Sequence, residues 1–158
     1  MSYWAPIVVQ WLHILGGIAW VGGAAFTTFV LWPMIFRRPA PEARALFTDV
    51  ARPIALYMGA AAQVTLWLGI LRGTWLGPIQ SFDALTGTPY GHTFLTALVL
   101  VVVVIIYGAT SGPRLERRVF DGDAFREGAR AYVRRSNALL LTLLAAIVAC
   151  MVLMRFGL

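Results

Sequence analysis

The chain contains no lysine and little charge of any kind, with one cysteine and two histidines in 158 residues. Only 13% of its residues are charged, against about 25% in soluble domains. That shortage excludes an ordinary water-soluble domain and a disordered tail. The lone Cys150 has no partner for an internal bridge, which excludes a disulfide-stapled secreted scaffold. Thirteen basic residues against seven acidic ones give a net charge of +6. The charges are gathered between long apolar runs, a distribution that membrane topology explains and nucleic-acid binding does not. Arginine as the sole basic residue reads as compositional bias without chemical meaning. What is abundant is apolar surface: 59% of residues are hydrophobic and the mean hydropathy is +0.76. The composition is that of an integral membrane protein whose partner is the lipid bilayer.

About 20 apolar residues cross roughly 30 Å of hydrocarbon as a helix. Four segments qualify, at about 6–33, 54–71, 92–110 and 138–154. The expected fold is therefore all-α, an up-down four-helix bundle forming one transmembrane domain. No basic stretch precedes the first span and no A-x-A site follows it, so a cleaved signal peptide is not expected. The loops predict orientation. Arg37, Arg38, Arg44 and Arg52 lie between spans one and two. Arg114, Arg117, Arg118, Arg126, Arg130, Arg134 and Arg135 lie between spans three and four. The other side carries only Arg72 and Arg155. The positive-inside rule then places the arginine-rich loops in the cytoplasm and both termini outside it, in a cytoplasmic (inner) membrane.

Within the loop between spans three and four, Asp123 is a candidate N-cap for a helix beginning at Ala124. Phe125, Ala129 and Val133 recur there at helical spacing. The loop between spans two and three, residues 73–91, combines Gly and Pro breakers with Trp75, Ile79 and Phe82. Such aromatics suit a membrane interface, and a lid over a site is the alternative reading.

Both histidines fall in or at apolar spans. His13 lies roughly 10 Å into span one at 1.5 Å per residue, and His92 opens span three. An ionisable side chain in hydrocarbon is a functional-site candidate. Gly16, Gly17 and Trp20 share the helical face of His13 at i+3, i+4 and i+7. The two glycines leave a flat gap beside the imidazole, suited either to a porphyrin plane or to a closely packed helix. Two neutral imidazoles from different helices are an axial set that low-spin haem iron accepts. Zinc and copper sites ordinarily take three or four ligands. A soft copper(I) site drawing on Met151 and Met154 is a lesser candidate. Gln63, Thr65 and Thr96 are polar groups near this set, available as hydrogen-bond partners or as links between helices. Arg72, near the end of span two, suits a haem propionate or a lipid phosphate. No serine or cysteine nucleophile with a paired base, phosphate loop or intramembrane carboxylate chain is present in the sequence, which leaves redox chemistry supplied by a cofactor.

The stretch WLHILGGIAWVGG (residues 11–23) pairs a His with a Trp seven residues on. It is followed by Pro53, Thr65 and Gly69, by GHTFLTALVLVVVVIIYG (residues 91–108) before an arginine-rich loop, and by Asn137 leading into the last span. Over nearly its whole length the chain thus resembles the four-helix membrane family that includes HemJ-type protoporphyrinogen oxidases and the membrane domain of CopD-type copper-resistance proteins. The resemblance implies haem b associated with His13. In the HemJ-type motif a Lys stands two residues beyond the third helix's His; here that position is Phe94.

The expectation is a membrane cytochrome b-like electron carrier. His13 and His92 would ligate haem b, with Gly16, Gly17, Trp20, Arg72 and Thr96 around the ring. Its expected partners are quinone and other membrane redox subunits. A divergent protoporphyrinogen oxidase and a cofactor-free accessory subunit are the alternatives.

Overall fold

Chains this apolar satisfy their backbone polar groups inside helices when no water is available to them. The computed structural model describes residues 4–158, and four of its helical stretches are long and apolar enough to cross a membrane. The first is continuous from Trp4 to Phe36. It comprises α1 (Trp4–Phe26), a π-helical turn (Thr27–Leu31) and α2 (Trp32–Phe36). The second is α3 (Ala40–Gly73), the third α5 (Pro89–Val119) and the fourth α6 (Ala129–Arg155). A one-turn helix, α4 (Phe82–Thr86), sits in the connection between α3 and α5. The fold is an all-α membrane bundle.

The helices outrun the apolar segments that predicted them. At 1.5 Å per residue the 34 residues of α3 span about 50 Å, well over the hydrocarbon thickness. Pro53, which directly precedes the second apolar segment, lies inside α3. Proline forfeits one backbone bond and kinks a helix, but here both flanks are anchored by packing. Ala43 and Phe47 are buried on one side of it, Ala61 and Ala62 on the other.

The loop before α6 departs from expectation. No helix begins at Ala124. Phe120–Asp121 and Ala124–Phe125 instead pair as a short antiparallel hairpin (β1 and β2), and Gly122 turns the chain at φ +60°. Phe125 is drawn away from a helical face because its ring packs 5.5 Å from Phe120 and 5.3 Å from Phe36. α6 starts only at Ala129, behind Gly128 in the left-handed region at φ +75°, a conformation glycine adopts without steric cost. From there Ala129 and Val133 do lie on the buried face.

The core divides in two. One cluster, at the arginine-rich end, joins Trp32, Ile35, Ala43, Phe47, Val119 and Phe120 to Ala129 and Val133. The other, within the spans, joins Trp20, Ala24, Ala61, Ala62, Val101, Val104, Leu144 and Ile147. Helix α1 packs mainly on α3, and α5 mainly on α6. The two pairs meet each other more sparingly. That uneven packing positions the site, because a space is left between the pairs toward the end that carries both termini.

Candidate functional site

The space is an apolar cavity of about 1170 Å³. Its walls come from α1 (His13, Gly17, Trp20), α3 (Thr65, Gly69, Arg72), α5 (Tyr90, Phe94) and α6 (Met151, Met154, Arg155). Pro78 of the α3–α4 connection also contributes. The neighbouring Ile79 is buried, while Trp75 and Phe82 are 79% and 76% exposed. The connection therefore turns aliphatic residues toward the bundle and aromatic ones away from it.

His13 is held across the α1–α3 contact. Its Nδ1 lies 2.9 Å from the backbone carbonyl oxygen of Thr65. A carbonyl only accepts, so Nδ1 carries the hydrogen, and Nε2 of the neutral ring keeps its lone pair. This is the tautomer fixation that metal-ligating histidines commonly receive from a second partner. Gly69 makes the contact possible: a Cβ there would stand 2.8 Å from His13 Cε1. Thr65 is itself buried, and its hydroxyl donates to the Ala61 carbonyl at 2.8 Å.

The two glycines beside His13 have different surroundings. A Cβ at Gly16 would lie 2.9 Å from Thr65 Oγ1 and 3.1 Å from Val64 Cγ1, so Gly16 serves the close approach of α1 to α3. Gly17 borders the cavity, and a Cβ there would meet nothing within 4 Å. Trp20 is 4% exposed and joins the cavity wall to the core.

His92 is not brought to this cavity. It lies on the exposed side of α5, where Nε2 donates to the Thr86 carbonyl at 2.6 Å and ties α5 to the end of α4. Thr96 is on the same outward side and donates to the His92 carbonyl at 2.8 Å. The expected His13/His92 pair is therefore not assembled around the cavity. The third helix enters at Pro89 and turns Phe94 inward. Its ring occupies the place a Cβ on Gly73 would need.

Arg72 reaches the cavity from the last turn of α3. Its Nη1 donates to the Leu76 carbonyl at 3.1 Å, while Nε is buried without a hydrogen-bond partner. Tyr90, Arg155 and Gly69 are site residues that sequence patterning did not single out for this role. Arg155 enters the sequence reading only through the charge balance of the loops. Among the described residues no three His, Cys, Asp or Glu side chains converge in a metal-binding group.

Fold and site together define a multi-pass four-helix membrane protein with a large apolar cavity toward one end. The chain is similar to the copper transport protein CutJ of Bacillus subtilis (strain 168), at 30% identity over 103 residues. The matched region is 65% of this chain and 18% of that protein, so the chain spans a small part of its relative's length. No protein-family description matches the chain, and no solved structure matches it.

Proposed function

We propose that this membrane protein binds haem b in the cavity and serves electron transfer, with His13 as the protein ligand to iron. The observation that carries the reading is the His13–Thr65 contact, which leaves Nε2 of a neutral imidazole free at the edge of an apolar space. The volume of about 1170 Å³ exceeds the roughly 300–1,000 Å³ of drug-sized pockets, in keeping with a ligand as large as a porphyrin. Gly17 supplies a flat wall and Trp20 an aromatic one. Bound haem supplies one-electron redox chemistry at an iron whose potential follows from its axial ligands and the polarity around it. The chain orients the ring through His13, excludes water with apolar walls, and places Arg72 and Arg155 toward one end. His92 lies outside this assignment, as does any role for Thr96 near the ring. Quinone and other membrane redox subunits are the partners such a carrier serves, in an inner membrane with the arginine-rich end toward the cytoplasm.

Two observations favour a second reading, passage of copper(I): the similarity to a copper transport protein, and Met151 and Met154 lining the cavity that His13 lines. Thioether and imidazole ligands suit copper(I). The deciding experiment is a reduced-minus-oxidised visible spectrum of purified protein, with haem quantified as its pyridine complex and copper by elemental analysis. Near-stoichiometric b-type haem that is lost in His13→Ala and kept in His92→Ala is the expected result. Copper without haem would transfer the site to the second reading.

A further inference from the structure

The charges around the cavity are all of one sign. Arg72 and Arg155 line it, and no Asp or Glu does. Neither arginine takes part in an ion pair among the described residues. Arg155 is exposed, but Arg72 is partly enclosed, with only Nη1 engaged by a backbone carbonyl and Nε buried and unpaired. A guanidinium cannot shed its proton to escape this situation. A buried donor left without an acceptor is costly, more so when it is charged. The rest of the wall is almost wholly aliphatic and aromatic. A ligand complementary to such a space has a bulky apolar body and an acidic end.

From this we infer that the cavity selects amphiphiles terminated by a carboxylate, with the Arg72 guanidinium as the group that reads the acid and Arg155 as a second cation at the rim. Rotation of Arg72 toward solvent is restrained, because its Nη1 bond to Leu76 closes the turn after α3. The guanidinium is therefore set in place before the ligand arrives, which lowers the cost of ordering on binding. The inference deepens the haem reading, since the propionates of haem are such acids, and rests on it only for the identity of the apolar body. The carboxylate of a fatty acid offers the same chemistry from another source.

The test compares acids with their esters on the intact protein. Haem and haem dimethyl ester are titrated into apoprotein in detergent and followed in the visible spectrum. Oleate and methyl oleate are compared by native mass spectrometry. The free acid is expected to bind about tenfold to a hundredfold tighter than its ester, as one charge-assisted hydrogen bond implies. Arg72→Gln should erase that preference, and Arg155→Gln should reduce it less. The wild-type comparison decides the matter even if Arg72→Gln does not fold. Haem binding without acid preference overturns the inference and leaves the haem reading standing. Acid preference for oleate with no haem binding does the reverse. Equal affinity for acid and ester in both pairs, or failure of all four ligands to bind, overturns the inference.

Discussion

His13 Nδ1 and the Thr65 carbonyl oxygen, 52 residues apart in sequence, meet at 2.9 Å across the α1–α3 contact. The contact depends on a missing side chain, because Gly69 leaves the room that His13 Cε1 occupies. A methyl group 2.8 Å from that carbon must displace the ring, and overpacking of this kind costs typically about 1–3 kcal/mol. Gly69→Ala is therefore expected to lower the melting temperature in detergent and, under the proposed function, to weaken haem binding, although residue 69 carries no ligand. An unchanged melt together with an unchanged spectrum would contradict the geometry.

Gly16 and Gly17 are adjacent in sequence and predict opposite outcomes. Alanine at Gly16 presses on Thr65 and Val64, so Gly16→Ala should destabilise the bundle by about 1–3 kcal/mol. Alanine at Gly17 meets no atom within 4 Å, and it replaces a glycine inside a helix, a change worth up to about 1 kcal/mol in favour of folding. Gly17→Ala should therefore match or exceed the wild-type melting temperature while narrowing the cavity and weakening ligand binding. Thermal melts of apoprotein beside haem titrations separate the two effects. Equal behaviour of the two variants in both measurements would refute the assignment of Gly16 to helix packing and Gly17 to the cavity.

Hydropathy made the four spans legible, because lipid leaves helix as the only economical way for a short chain to satisfy its backbone. The helix ends were not legible. They depend on contacts outside the membrane, such as Phe47 packing across from Phe120, which carry α3 through Pro53 and stop α5 at a hairpin. Spacing and depth single out His13, Gly17, Trp20 and Arg72, and these four line one cavity. His92 was judged by the same criterion of an imidazole at an apolar boundary. Residue type and depth do not say which way a side chain turns, and the Thr86 carbonyl draws it outward. Gly69 stands in the sequence only among the residues of the family resemblance; its effect is a vacancy beside a residue on another helix, which no periodicity within one helix reports.

The cluster at the arginine-rich end is a separate source of stability. Ile35 is fully buried there among Trp32, Ala43 and Val119. Truncating a buried isoleucine to alanine costs about 2–5 kcal/mol where the surroundings cannot collapse into the cavity. The cation–π contact of Arg130 over Phe36 and the exposed Arg44–Glu116 pair lie nearby, but exposed pairs are worth about 1 kcal/mol or less. Ile35→Ala should therefore lower stability far more than Glu116→Gln, and it should leave the ligand spectrum intact at temperatures where the protein is folded. Loss of the spectrum without loss of stability would show that the two ends are coupled rather than independent.

The proposed orientation rests on where the arginines sit once the helices are laid out. The hairpin and the starts of α3 and α6 bring the first and third inter-span loops to one end of the bundle, and they share the buried cluster there. The opposite end holds Trp4, the α3–α5 connection and Phe156. A charge bias of this size orients a multi-pass protein with its basic loops inward. In a Cys150→Ser background, single cysteines at Asp123 and at Phe156 report the two ends. A membrane-impermeant maleimide applied to intact cells should label Phe156→Cys and spare Asp123→Cys until the cells are permeabilised. The reverse pattern would invert the topology and move the cavity, with His13 and Arg72, to the cytoplasmic half of the membrane. An electron carrier placed there would have to draw on cytoplasmic donors rather than on partners across the outer face. The labelling thus decides which side of the membrane a partner of the proposed carrier would occupy.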